Sequence, residues 1–216
     1  MDKSILISIQ PQNVENILNG KKPLEIRKTV PSGFKGWVYI YCTKSKILLQ
    51  EDVLRVYSKE SRYITDDKYL GGSREILNGS VVARFWFDEY KTLEYHKKNE
   101  VLMWDNNYYY YTEEDNTYCS VQWILDELCL EHHQVLEYGK EKDLYAWHIK
   151  KLEVFDEPMS LSDFYKDNHY PKGEIMSPQI CTPSVFDHDN DYQNCLKTFE
   201  VTRAPQSWQY VWRIEQ

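Results

Sequence analysis

Six short runs rich in β-branched and aromatic residues recur along the chain: "ILISI", "LEIRK", "GWVYIYC", "SVVARFWFDEY", "LYAWHIKKLEVF" and "WQYVWRI". Each has the composition and length of a strand, and only two or three stretches between them carry helical spacing. One is "QPQNVENILNG", where Gln12 or Asn13 can cap, Val14, Ile17 and Leu18 share a face, and Gly20 supplies the stop. Another is "SVQWILDELCLEHHQVLEYG", with Val121, Ile124, Leu125, Leu128 and Val135 at helical spacing, read as the longest helix and closed by Gly139. "PMSLSDFY" starts a short turn or helix. Short strands interrupted by a few helices predict an α+β fold, a small mixed β-barrel with two to three peripheral helices. At 216 residues the simplest reading is a single domain, residues 1–216, with insertions at about 44–79, 91–143 and 166–198.

Charge is distributed unevenly over this pattern. Residues 1–50 hold eight Lys/Arg against three Asp/Glu, a balance of +5, which leaves −13 for the rest of a chain whose net charge is −8. Residues 99–143 hold eleven acids and two lysines. A net negative charge argues against a protein that coats long nucleic acid by neutralising phosphates, whereas a basic N-terminal third facing an acidic remainder can focus field on a small local site. The cations gather in "LNGKKPLEIRK", directly after the first helix. Alternation puts Leu24 and Ile26 on one side of the strand and aims Glu25 and Arg27 together at the other. Lys21 and Lys28 point elsewhere on the same argument, toward solvent or phosphate.

Several classes of function are disfavoured. "MDKSILISIQ" lacks a small-residue cleavage site and no run approaches the roughly 18 apolar residues of a span, so a soluble, cytoplasmic protein with no membrane partner is expected. Five cysteines without a CxxC pair suggest reduced thiols, neither a disulfide framework nor a zinc ribbon. Cys129 with His132 or His133 has metal-ligand spacing, but only the remote Cys181, His188 and Cys195 could complete a set, so no metal is expected. "DHDNDY" lacks the glycine and terminal glutamate of a calcium loop and reads as a solvated loop. Neither a P-loop nor a dinucleotide fingerprint is present, and no cofactor is expected.

The passage Gly20, Lys22, Glu25, Arg27, preceded by "LISIQPQNVENIL" and followed by "VYIYCTK", resembles the ASCH domain, a PUA-like β-barrel, and within it the branch found in phages and mobile elements of Gram-positive bacteria. "GSVVARF", "LYAWHI" and "RAPQSWQYV" extend the resemblance to about 90 residues between positions 5 and 212. The resemblance implies a PUA-like barrel with a cleft at Lys22, Glu25 and Arg27, and partners among nucleobases, modified nucleosides and single-stranded RNA. Ser80 and Ala83–Arg84 depart from the family's glycine-rich strand start. Members that cleave acyl groups from modified cytidine carry a threonine where this chain has Glu25, so hydrolysis by that route does not carry over.

Chemically, Arg27 offers paired donors to a carbonyl or phosphate, Glu25 accepts from an exocyclic amine, and Lys22 adds a point charge, a set suited to a nucleobase edge. The competing reading is a structural salt bridge at the barrel rim. Were the chain an enzyme, Lys22 and Glu25 would be its catalytic pair, a hydrolase on a modified nucleoside or a ribonuclease. Further ligand-binding candidates are Tyr41 and Thr43 on the third strand, Trp147 and His148 on a later one, and Arg203, Gln206 and Ser207 on the proline-set turn "TRAPQSW". Trp147 stacks on a base or fills the core; His148 is an acid/base or a hydrogen-bonded rim residue. A third possibility leaves the pocket aside: the acidic, tyrosine-rich insert around 99–143 docks a protein partner.

Overall fold

The computed structural model describes residues 2–46, 77–96, 101–104, 122–169, 175–181, 183 and 189–213. The elements run β1 (Asp2–Ile9), α1 (Pro11–Leu18), β2 (Leu24–Arg27), β3 (Gly36–Cys42), β4 (Val81–Phe87), β5 (Tyr90–His96), β6 (Val101–Trp104), α2 (Gln122–Leu128), α3 (His132–Gly139), β7 (Leu144–His148), β8 (Lys150–Met159), β9 (Asn168–His169), β10 (Ile175–Met176), α4 (Asp189–Lys197) and β11 (Trp208–Arg213). Short 3-10 turns lie at Leu161–Asp163 and Pro178–Ile180. The fold is mixed α+β, as the strand and helix patterns indicate.

The strands form a five-stranded sheet in the order β11-β1-β3-β4-β8, a four-stranded sheet in the order β2-β7-β5-β6, and the small pair β10-β9. Among the described strands only β1 and β3 pair in parallel, because α1 and β2 carry the chain across between them. The expected closed barrel is not found: among the described residues no ladder joins the two large sheets into a ring. They meet instead at a corner. β4 becomes β5 across Asp88–Glu89, β7 becomes β8 across Ile149, and the His148 amide donates to the Glu89 carbonyl at 3.3 Å. Two of the sequence runs read as single strands therefore change sheet part-way, a bend that packed sheets use to make corners.

The main core lies on the inner face of the first sheet. Ile5, Ile7, Ile9, Val38, Ile40, Phe85 and Phe87 pack there with Val14, Ile17 and Leu18 of α1 and with Trp147 from the second sheet. On the opposite face of β1 and β3, Leu6, Tyr39 and Tyr41 pack with Phe164, Val201 and Val211. β1 is buried on both faces, hence its uninterrupted apolar reading. The second sheet sets Leu24, Ile26, Leu93, Leu144 and Ala146 against Ile124, Leu125, Leu128 and Val135 of α2 and α3.

Four local expectations are corrected. The N-cap of α1 is Gln10 with Pro11 in the first turn, not Gln12 or Asn13; proline's fixed φ suits that position. Gly20, at φ +73°, takes up the left-handed turn after the helix. The longest helix is two helices, because Cys129 adopts φ 50° and Glu131 starts a new capping box with Gln134. Inside the insertion at about 166–198, where "DHDNDY" reads as a solvated loop, "DNDYQNCLK" forms α4, whose Cys195 and Leu196 pack with Phe199. The expectation of reduced thiols fails at Cys181 and Cys195, which form a disulfide over a separation of 14 residues. Sequence spacing cannot show that a strand-end turn and a helix bring two cysteines together. The free thiol of Cys42 is buried, and burial pushes it up to about 12, which leaves it inert. The tyrosine run, with residues 105–121 of the acidic insert, lies outside the described residues, as does most of 44–79. No helix among the described residues is long and apolar enough to cross a membrane.

Candidate functional site

β2 is four residues long and every one is buried. Its apolar pair, Leu24 and Ile26, is committed to the helices, so alternation turns Glu25 and Arg27 into the space between the two sheets. Lys22, just upstream, joins them. The three charged residues are only 1%, 5% and 7% exposed for Lys22, Glu25 and Arg27. The sequence places charge here; the structure shows that the charge is buried.

Arg27 ties the sheets together. Its Nη2 lies 2.9 Å from Glu25 Oε1 in an ion pair and donates to the Ser8 carbonyl at 2.7 Å, and Nη1 reaches Ser207 Oγ at 3.5 Å. Lys22 Nζ donates to the Leu128 carbonyl at the end of α2, where the helix dipole favours a cation, and lies 3.8 Å from Glu25 Oε2. Burial holds the Lys22 amine below its ordinary value of 10.5, a shift partly opposed by the Glu25 carboxylate. Two cations therefore share one carboxylate in a desolvated junction, an arrangement in which each partner is costly to remove.

The junction is not fully satisfied. Glu25 Oε2, Arg27 Nε and Trp147 Nε1 are buried without a hydrogen-bond partner among the described residues. Trp147 stands directly opposite Glu25 in the β2–β7 ladder, so its indole faces the same way as the carboxylate, packed 4.8 Å from Phe87 and 5.8 Å from Trp208 between ring centroids. An acceptor and two donors thus belong to one inner face, and orphaned polar groups at this depth are uncommon in folded proteins.

Of the other residues singled out from sequence, Ser207 reaches the site through Arg27, while Arg203 and Gln206 on the same turn are exposed. Tyr41 packs on the outer face of the first sheet, away from the triad, and the buried Oγ1 of Thr43 has no hydrogen-bond partner among the described residues, the triad included. His148 points away from the junction: its Nδ1 lies 3.4 Å from Glu89 at the sheet corner, where Lys150 bridges Glu89 and Asp88. Sequence alternation left open which of Trp147 and His148 faces inward; it is Trp147.

One neighbour went unnoticed in the sequence, and a second, Cys129, was weighed there only for metal-ligand spacing. Tyr138 on α3 sits close enough to Arg27 and Glu25 to feel both charges, and burial raises its phenol above the ordinary range. Its spacing from Val135 places it on the apolar stripe, a signal that marks core and not site. Cys129 donates to the Lys21 carbonyl at 3.3 Å and, where its residue turns left-handed, borders an open groove of ≈ 660 Å³ lined also by Lys21, Asp126, Glu131 and His132. The groove flanks the triad without including it in its lining.

No protein-family model matches this sequence, and neither does any curated protein. Among solved structures the chain is similar to the crystal structure of ASCH from Zymomonas mobilis. The TM-score is 0.45 at 13% identity, over 96% of this chain and 86% of that one. A point mutant of the same Zymomonas protein gives 0.45 at 12% identity, over 97% and 90%. Likeness at this level carries no functional argument, and the chemistry rests on the residues themselves.

Proposed function

We propose that this chain is an ASCH-type, PUA-like module that binds a nucleobase, a modified nucleoside or the end of a short single-stranded RNA at the Lys22–Glu25–Arg27 junction. The observation that carries the reading is the set of polar atoms on one inner face that have no hydrogen-bond partner among the described residues: Glu25 Oε2 as acceptor, Arg27 Nε and Trp147 Nε1 as donors. A base edge alternates amine hydrogens with carbonyl or ring-nitrogen acceptors and is planar enough to lie against indoles. A neutral sugar or an aliphatic acid offers only part of that pattern. With two of the three groups already ion-paired, recognition would come from hydrogen bonding and stacking, so binding should depend only weakly on salt.

A hydrolase acting at the same junction is the second reading, favoured by one specific feature. Burial lowers Lys22, which raises the fraction of free amine available to take a proton or attack a carbonyl. The carboxylate next to it works in the opposite direction, so binding stands first.

The test is calorimetric titration of the purified protein with a panel of nucleosides, acylated cytidines and short RNAs, with product analysis of each mixture. Saturable binding of a base-bearing ligand that Glu25→Gln and Trp147→Phe each weaken by about tenfold or more supports the reading, the loss expected for one good hydrogen bond to a charged or buried group. If no base-bearing ligand binds, or if binding is indifferent to both substitutions, the reading is wrong. Product that disappears in Lys22→Ala while binding persists in that variant would move the second reading to first place.

A further inference from the structure

The outer face of the five-stranded sheet carries a second polar constellation, remote from the inner junction in its elements and its chemistry. Tyr39, on the central strand β3, is only 2% exposed, yet its hydroxyl oxygen accepts from two guanidiniums. Arg84 Nη1 donates to it at 3.2 Å and Arg213 Nη1 at 3.1 Å. Arg84 comes from β4 and Arg213 from β11, and in the sheet order these strands are three spacings apart, about 14 Å. Two long side chains therefore lean inward from either side, over β1 and β3, to meet at one neutral oxygen.

Ion pairing there is incomplete, although Asp2 stands opposite Arg213 in the β1–β11 register. Arg84 has a carboxylate partner, Glu153, at 2.7 Å from its Nε, and stacks 4.1 Å over the Trp37 ring. Arg213 makes no ion pair among the described residues; its guanidinium lies 5.5 Å from the Tyr39 ring centroid. Two like charges gathered on one atom repel each other, and a shared tyrosine oxygen compensates neither. Donors are left over as well. A guanidinium has five N–H groups, and the described bonds engage two on Arg84 and one on Arg213. With both lone pairs of the Tyr39 oxygen engaged by the arginines, its own proton is committed to no acceptor among the described residues.

We propose that Tyr39, Arg84 and Arg213 form an oxyanion site on the outer face of this sheet, one that receives a phosphate group. Convergent guanidiniums present planar pairs of N–H donors that match phosphate oxygens, and an adjacent phenol proton adds a third direction of approach. Bound phosphate relieves the repulsion between the arginines, which gives the site a reason to hold them together. A purely structural role predicts only one arginine, since one donor already satisfies a buried tyrosine oxygen. The site is independent of base recognition at Glu25 and Arg27, and either can fail without the other.

The probes are inorganic phosphate, uridine 5′-monophosphate and uridine, titrated at low salt and followed by phosphorus resonance broadening for the first two and by calorimetry for all three. Phosphate and the nucleotide should bind by the same residues, with Arg213→Gln and Tyr39→Phe each weakening both by about tenfold or more. Arg213→Lys, which keeps the charge but loses the paired donors, should fall between. Arg213→Gln should unfold at the wild-type temperature, which separates loss of a site from loss of the fold. The proposal is overturned if Arg213→Gln binds phosphate as the wild type does, if Arg213→Lys binds it fully so that charge alone suffices, or if neither phosphate probe binds. Uridine binding that is insensitive to Arg213 would report on the inner junction alone. A nucleotide that binds where inorganic phosphate does not, and does so regardless of Arg213, also overturns it.

Discussion

Replacing Arg27 with leucine should be among the most damaging single changes in the molecule, and its size can be worked out from the contacts it removes. Arg27 makes a close ion pair with Glu25 Oε1 at 2.9 Å and a charge-assisted hydrogen bond to the Ser8 carbonyl at 2.7 Å. Each such bond contributes about 1.5–3 kcal/mol. Removing one partner of a buried pair generally costs about 3–5 kcal/mol, because the other charge is left desolvated. Here the stranded Glu25 retains Lys22 at 3.8 Å, so the lower end applies, about 3 kcal/mol. Leucine cannot recover this, since the residue it replaces was already buried and sat among polar neighbours. The decisive comparison is the double variant Arg27→Leu with Glu25→Leu. It removes the stranded carboxylate and leaves only Lys22, whose amine is already pushed toward its neutral form by burial. At least half of the single-variant loss should return, a recovery of about 1.5–2 kcal/mol, similar in size to the non-additivity seen between residues in direct contact. Urea unfolding at neutral pH measures all three proteins, with comparable slopes required for the comparison. A single variant within about 0.5 kcal/mol of wild type, or a double variant no more stable than the single, would refute the buried-junction reasoning.

Lys22 has a lowered folded-state pKa, so between that value and 10.5 the unfolded chain holds a proton that the folded chain has lost. Stability should therefore rise with pH across that window, and the rise should vanish in Lys22→Met, as followed by thermal unfolding at a series of alkaline pH values. At the sheet corner, hydrogen bonding to Lys150 lowers Asp88 and Glu89, so the stabilisation they give is present above their ordinary values and is lost as pH falls through the lowered ones. Lys150→Met should return both carboxyls toward the ordinary range in carbon-detected titrations. The Cys181–Cys195 link closes a loop of about the length for which chain entropy gives about 3 kcal/mol, so Cys181→Ser, or reduction of the wild type, should lower the urea midpoint; an unchanged midpoint in the reduced protein would remove that role.

Much of the framework could be read from periodicity. The runs at Ile5–Ile9 and Trp37–Cys42 are strands because β-branched and aromatic residues repeat without turn residues, and Gly20 ends α1 where its backbone freedom is needed. Alternation in "LEIRK" also gave the pairing of Glu25 with Arg27 on one face. What alternation could not give is which side of a strand is buried. Glu25 and Arg27 looked like a rim because charged side chains usually face water, yet α2 and α3 occupy the side of β2 that carries Leu24 and Ile26. The same limit applies to His148 and Trp147, adjacent residues whose faces were distinguishable only once Glu89 was seen at the corner. Sheet changes at Asp88 and Ile149 left no mark, because a strand that bends between sheets has the same composition as one that does not. The break at Cys129 was hidden by helical spacing that continues through it. Contacts remote in sequence, including Arg27 with Ser207 and Arg84 with Arg213 across Tyr39, arise from the sheet order and not from any local pattern.

The most direct test is the indole N–H resonance of Trp147, assigned by its loss in Trp147→Phe, while base-bearing nucleosides are titrated into the protein. That N–H is a buried donor with no described acceptor, opposite Glu25. A ligand edge docked at the junction should give it a hydrogen bond, moving the resonance downfield in a saturable way that Glu25→Gln weakens. A Trp147 resonance that stays fixed through saturation with every base-bearing ligand that binds, or that moves equally in Glu25→Gln, would contradict recognition at this junction.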